Sequence, residues 1–404
     1  MERLEAIVIG GGQAGLAVSR RFVKMDVDHV VLERGRIGET WRRRWDSFCL
    51  VTPNWSVQLP GHPYDGDDLD GFMPRDEIVE YLERYAAAAK LPVREGINVI
   101  SLDAASGDGF QVRTDSEVLH AKNVVLANGA YQRAFRPAGA TALPENLLQI
   151  DIGGFRNADA LPAGRVLIVG SGQSGCQIAE ELHEAGRDVV LACGRAPWAP
   201  RRVGAYDLVW WLAESGFLDA TVDSLPAPAA RVAANVLATG HHGGHDLNLR
   251  TLQKLGVTLT GRLIGASGRR ARFAPDLAAS VAWGDERYLQ FTGLVKKVVA
   301  ERGMAMPDLG SPAPFDASMS EELDLAGFGA VIFAGGFRPD YQSWLPWPQA
   351  LDYLGFPIQR EGSSTVVPGL HFVGVHFLRK RKSSLLLGVG EDATIVARTI
   401  AARH

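Results

Sequence analysis

The stretch Ala6-Ile7-Val8-Ile9-Gly10-Gly11-Gly12-Gln13-Ala14-Gly15 decides the fold. Four apolar residues run directly into G-x-G-x-x-G, the pattern that joins a buried strand to a helix through a tight glycine turn. The glycines let the backbone turn sharply and approach a pyrophosphate closely. The helix that opens there offers free N–H groups and the positive end of its dipole, which suits phosphate. The arrangement returns at Val166-Leu167-Ile168-Val169, followed by Gly170-Ser171-Gly172-Gln173-Ser174-Gly175. One such loop is weak evidence, because glycine turns recur by chance. Two loops, each followed about 20 positions on by a second strand, predict two nucleotide sites in one chain.

The units differ where that second strand ends. Val30-Val31-Leu32 runs into Glu33-Arg34, whereas Val189-Val190-Leu191 runs toward Gly194-Arg195 with no acid. A carboxylate accepts hydrogen bonds from a ribose diol, and an arginine favours a 2′-phosphate. The first unit therefore reads as the site for the adenosine half of FAD, through Gly10, Gly12, Gln13, Ala14, Gly15, Glu33 and Arg34. The second reads as an NADPH site, through Gly170, Gly172, Gln173, Ser174, Gly175 and Arg195; Arg201 and Arg202, near in sequence, either share the phosphate or are surface charges.

The expected fold class is α/β, with two dinucleotide-binding Rossmann-like domains and the NADPH domain inserted into the FAD domain. The FAD domain takes residues 1–160 and 325–404, and the NADPH domain takes 161–324. Ile78, Tyr81, Leu82 and Tyr85 lie on one helical face and predict a helix from Arg75 to about Ala88. Residues 98–126 alternate like strands that return into the parallel sheet. Residues 130–162, with several prolines and glycines, read as a connector. A helix is expected over 277–302, a strand at Ala330–Phe333 in the FAD domain, and a last helix from about Glu391.

With 404 residues, 46% of them hydrophobic, the chain can bury two cores. A net charge of −4 without a basic block gives no reason to expect nucleic acid. Cys49, Cys176 and Cys193 form no C-x-x-C pair, which argues against a dithiol flavoenzyme and suits a reducing cytoplasm. The start of the chain lacks the pattern of a signal peptide, and no apolar run reaches the roughly 20 residues of a membrane span. Leu208-Val209-Trp210-Trp211-Leu212 is the most membrane-like piece and reads as a buried helix. A homodimer is compatible with the sequence but not legible in it.

Gly38-Glu39-Thr40-Trp41, then Leu50-Val51-Thr52-Pro53, then Leu59-Pro60 follow the order G-x-x-W, L-x-x-P, L-P. Here the chain resembles the flavin-containing monooxygenases, particularly the plant indole-pyruvate monooxygenase branch and its bacterial relatives. Phe337-Arg338-Pro339-Asp340 and Gly388-Val389-Gly390-Glu391-Asp392-Ala393 fall in the family's order, so the resemblance covers nearly the whole chain. It implies an FAD-dependent, NADPH-consuming monooxygenase that oxygenates a small organic substrate with O2 through a flavin C4a-peroxide. It also implies that Thr40 and Trp41 lie on the cofactor side, with Trp41 beside the flavin's ribityl or phosphate portion. Asn54 and Gln58 either reach the isoalloxazine or cap a loop. Gly390 and Asp392 open the last helix, whose dipole suits negative charge on the reduced flavin; Asp392 is alternatively a first-turn helix acid. No catalytic acid or base is named.

One departure bears on the reaction. The family's F-x-G-x-x-x-H-x-x-x-aromatic signature is replaced by Glu145 to Phe155, with Asp151 where the histidine belongs. An NADPH oxidase, a flavin-dependent dehydrogenase or a non-catalytic redox sensor therefore stays open. His241, His242 and His245 lie among glycines with no fourth ligand at useful spacing, so they read as a flexible loop and no metal is expected. His376 reads as packing or a substrate contact, Arg379–Lys382 as a solvated face, and Cys49 as packing.

Overall fold

The computed structural model describes residues 3–105, 107–129 and 131–402. Along the chain, β1 (Arg3–Ile9), α1 (Gln13–Lys24) and β2 (His29–Glu33) form the first nucleotide unit. Then come α2 (Arg75–Ala88), β3 (Val93–Glu95), β4 (Val99–Ala104), β5 (Phe110–Thr114) and β6 (Val118–Leu126). The second unit begins with β7 (Leu148–Asp151), β8 (Arg165–Val169), α3 (Gln173–Glu184) and β9 (Val189–Ala192). It continues through α4 (Leu208–Glu214), α5 (Leu249–Leu255), β10 (Thr258–Thr260), α6 (Leu277–Arg302) and β11 (Phe328–Phe333). The chain closes with β12 (Leu370–Phe372) and α7 (Val389–Ala401).

Two separate parallel sheets result. The first has the order β12-β6-β1-β2-β3, with β5 and β4 added antiparallel beyond β6. The second has the order β7-β11-β8-β9-β10, parallel throughout. Parallel strands covered on both faces must be apolar on both, which is why Ala6–Ile9, Val166–Val169 and Ala330–Phe333 are unbroken apolar runs and fully buried. Helices α1 and α7 pack together against the first sheet, and Phe22, Val396 and Ile400 are completely covered. The apolar stretch at 208–212 is part of α4. Its Trp211 is buried with Tyr288, Phe291 and Val295 of α6, so it faces protein. No helix among the described residues is long and apolar enough to cross a membrane.

Two strands join a different sheet from the one expected of them. Strand β11, expected in the FAD domain, pairs residue by residue with β8 in the second sheet. Residues 148–151, expected as connector, form its edge strand β7. The two units are built alike. The carbonyl of Ala127, just after β6, lies 2.5 Å from where a Cβ on Gly10 would stand. The carbonyl of Ala334, just after β11, lies 2.6 Å from the same point on Gly170. Each phosphate loop thus turns against the end of the neighbouring parallel strand, and β11 is to the second loop what β6 is to the first.

Candidate cofactor and active site

Both glycine loops end in a helix whose N-terminus is left open. Gly12 and Gly172 precede α1 and α3 in extended conformation, no side chain caps either helix, and neither first turn holds an acid. Unclaimed N–H groups and the positive dipole end of a twelve-residue helix suit an anion in each unit. The space suits a phosphate: a Cβ built on Gly12 meets nothing within 4 Å.

The strand ends carry different chemistry. In the first unit Glu33 accepts hydrogen bonds from Gly11 N at 2.6 Å and Gly35 N at 2.8 Å, which fixes its carboxylate beside the loop. Each oxygen keeps a further lone pair for a ribose hydroxyl. Arg34 and Thr40 stand exposed nearby. In the second unit a neutral pin replaces the acid: Ser171 Oγ accepts from Gly194 N and donates to Gly194 O, both at 3.0 Å. Arg195 follows it, exposed and without an ion pair among the described residues. Ser174 is half-buried in the first turn of α3.

Arg201 does not share the phosphate role suggested by its position. It is buried, bonds Asp207 at 2.8 Å through Nε and Val51 O at 2.9 Å, and lies over the Phe72 ring. Asp207 in turn accepts from Val209 N at the start of α4. Arg201 therefore ties the first unit to the second. Arg201→Met should cost about 3–5 kcal/mol by stranding a buried carboxylate; denaturant titration showing wild-type stability would contradict that role.

Gln13 and Gln173, at matching places in the two loops, both act as struts. The Gln13 amide accepts from Trp41 Nε1 at 3.0 Å and donates to Ser384 O at 3.3 Å. It thereby joins the Trp41 segment and the C-terminal loop to the first phosphate loop. Gln173 pairs with both backbone groups of Ala238. Nothing in the G-x-G-x-x-G pattern announces these bonds, since their partners are distant in sequence.

Asn54 is a loop brace. Its amide donates to Asp68 O at 2.9 Å and accepts from Met73 N at 2.8 Å, which leaves it buried within the 54–73 loop. Gln58 is exposed, and the Gln58–Pro60 segment lies against the start of α7. A Cβ on Gly390 would stand 3.0 Å from Pro60 Cγ and 3.7 Å from Gln58 O. Asp392 is buried and bonded to Arg379 at 2.9 Å; burial holds its carboxyl above the usual range, against the pull of Arg379. The run expected as a solvated face is engaged. Lys380 and Lys382 both pair with Glu391 and Asp219, and Arg381 lies over Phe217 and Phe377. The two acids in the first turn of α7 are thus matched by cations, so they do not cancel its positive end.

His376 and Tyr131 escaped the pattern reading as a pair. The His376 ring meets Tyr131 edge-on at 5.2 Å, and its Nδ1 hydrogen-bonds Ser384 Oγ at 2.9 Å. Burial lowers His376 from 6.5 to about 4, so it is neutral at neutral pH. Between those values the unfolded chain holds a proton that the folded chain refuses. The stability from neutral His376 is complete above pH 6.5 and is lost as pH falls toward 4, up to about 3 kcal/mol. His376→Gln, which can keep the bond to Ser384, should flatten the melting-temperature profile across that window. An unchanged profile would contradict this assignment.

The cysteines are free and buried. Burial raises Cys49 to about 11 and Cys193 to about 12, and pushes Cys176 well up. None supplies the thiolate that disulfide exchange requires.

Two sheets, two open helix ends and two different strand ends define a flavoprotein oxidoreductase with paired nucleotide sites. The model of the pyridine nucleotide-disulphide oxidoreductase family matches residues 7–213, just over half of the chain. An oxidoreductase named CzcO-like from Geobacillus kaustophilus is 30% identical over 98% of both chains. The chain belongs to this family of oxidoreductases, with FAD and NADPH as cofactors. Indole-3-pyruvate monooxygenase YUCCA1 of Oryza sativa is 31% identical over 44% of each chain. A flavin-containing monooxygenase from Stenotrophomonas maltophilia has the same fold, with a TM-score of 0.70 and 19% identity over 100% of this chain and 99% of that one. These matches agree with the resemblance to flavin-containing monooxygenases carried by the sequence motifs.

Proposed function

We propose that this protein is a single-component monooxygenase that uses FAD, NADPH and O2 on a small organic substrate. The balance is substrate, O2, NADPH and a proton going to oxygenated substrate, water and NADP. FAD, when bound and reduced by NADPH, supplies the activation of oxygen. The chain's residues bind, orient and shield. The open end of α1 and Glu33 hold the FAD pyrophosphate and ribose, while the open end of α3 and Arg195 hold NADPH. The Gln13–Trp41 strut and the start of α7 beside Gln58–Pro60 shape the flavin side. Half-buried His376, neutral at neutral pH, offers no stray proton there.

The observation that carries this reading is the pair of uncapped helix ends with unlike strand termini. Proposed domains follow the sheets, with the NADPH unit extended to include β7 and β11. A second reading, an NADPH oxidase or dehydrogenase, is favoured by the altered linker. Asp151 pairs with Arg136 at 2.7 Å and 3.0 Å and lies at the end of an edge strand. Hydrogen peroxide released per NADPH, measured with and without candidate substrates, separates the two. The proposal expects release to fall and an oxygenated product to appear with the right substrate. Stoichiometric release across a broad panel of amines, sulfides and ketones would favour the oxidase.

A further inference from the structure

The histidines read from sequence as a flexible loop converge on one carboxylate. Nε2 of His241 lies 3.2 Å, and Nε2 of His242 3.7 Å, from Oε2 of Glu184. One donor atom from each of the three lies within 4.8 Å of the others. Adjacent side chains usually diverge. Here His242 adopts a left-handed backbone, φ 50° and ψ 36°, and the two rings come to 3.8 Å between centroids. That conformation is uncommon for a residue other than glycine, and it turns both imidazoles toward α3.

The separations fit a metal ion. Zinc–ligand bonds of about 2.0–2.1 Å at tetrahedral angles place neighbouring donors about 3.3 Å apart. The two distances to Glu184 bracket that edge, and the two imidazole donors lie within 4.8 Å of each other. Two imidazoles and one carboxylate are a borderline donor set, suited to zinc-like cations, whereas calcium and magnesium prefer all-oxygen shells. The surroundings are braced. Glu180, one turn before Glu184 on α3, is buried and holds His245 Nε2 at 2.7 Å. Gln173 at the head of α3 pairs with Ala238. The loop is therefore fixed to α3 on both sides of His241 and His242.

We propose that Glu184, His241 and His242 form a binding site for a divalent transition cation of the zinc class, with the fourth position open to water. An ion there would clamp the 238–245 loop to the helix that opens at the second glycine loop. The site is independent of the flavin chemistry.

The test is calorimetric titration of Zn2+ into tag-free protein, stripped with a chelator, at neutral pH. One equivalent should bind saturably. Affinity should fall as pH drops through the imidazole range, because protons compete for the ligands. His242→Asn tolerates the left-handed backbone but removes the ligand, and Glu184→Gln removes the anion. Each should weaken Zn2+ binding by roughly thirty-fold or more while the circular dichroism stays that of the wild type. No saturable binding by the wild type, or wild-type affinity in both variants, would overturn the site. Neither outcome depends on flavin or NADPH, so failure here leaves the monooxygenase reading to its own test.

Discussion

Gly12→Val protein is expected to fold and to purify without FAD. The position is open, with no atom within 4 Å of an added Cβ, so no part of the fold requires glycine there. The requirement comes from the ligand, because valine would fill the space that a pyrophosphate takes at the head of α1. Displacing the pyrophosphate removes charge-assisted hydrogen bonds worth about 1.5–3 kcal/mol each, so losing two weakens FAD binding by about a hundredfold or more. Gly15→Ala makes the contrast. Its Cβ would stand 1.9 Å from the Gly10 carbonyl, where α1 crosses the loop, and that variant should lose the fold itself. Flavin content by absorbance, alongside a thermal melt of each apoprotein, separates a ligand requirement from a packing one. A Gly12→Val protein fully loaded with FAD would refute the placement.

Arg195→Ala should raise the NADPH KM by about 10- to 100-fold, because a charge-assisted bond to phosphate contributes about 1.5–3 kcal/mol and each 1.4 kcal/mol is a factor of ten. The NADH constant should change by no more than about twofold, since that coenzyme has no 2′-phosphate to lose. The structure leaves Arg195 free for this role. Arg201 is locked to Asp207, while Arg195 is exposed at the end of β9 with the neutral Ser171–Gly194 pin beside it. Equal increases for both coenzymes would show that Arg195 does not read the phosphate.

Local patterns were legible, and long-range partners were not. The glycine loops, α2 over Arg75–Ala88 and α6 over Leu277–Arg302 could be read because their signals lie within one turn or one period of the element itself. Strand β11 was recognisable as a buried strand, but sheet membership depends on pairing with β8, more than a hundred residues earlier. Strand β7 was missed because it is a four-residue edge strand, half exposed and without alternation. At the site, residue type alone singled out Glu33 and Arg195; the first lies against its glycine loop and the second is exposed beyond the end of β9. The uses of Asn54, Asp392 and Arg201 depended on Asp68, Arg379 and Asp207, which no spacing rule connects to them. The His241–His242 cluster was set aside for lack of a ligand at useful spacing. Glu184 comes from α3, and only folding brings it near.

Anaerobic addition of NADPH to the purified protein asks whether two nucleotides bind one chain close enough to pass a hydride. The expected result is a yellow protein with one FAD per chain that bleaches on NADPH, much more slowly on NADH, and regains its colour in air. A protein that stays colourless after reconstitution with FAD, or whose flavin NADPH fails to reduce, would contradict it.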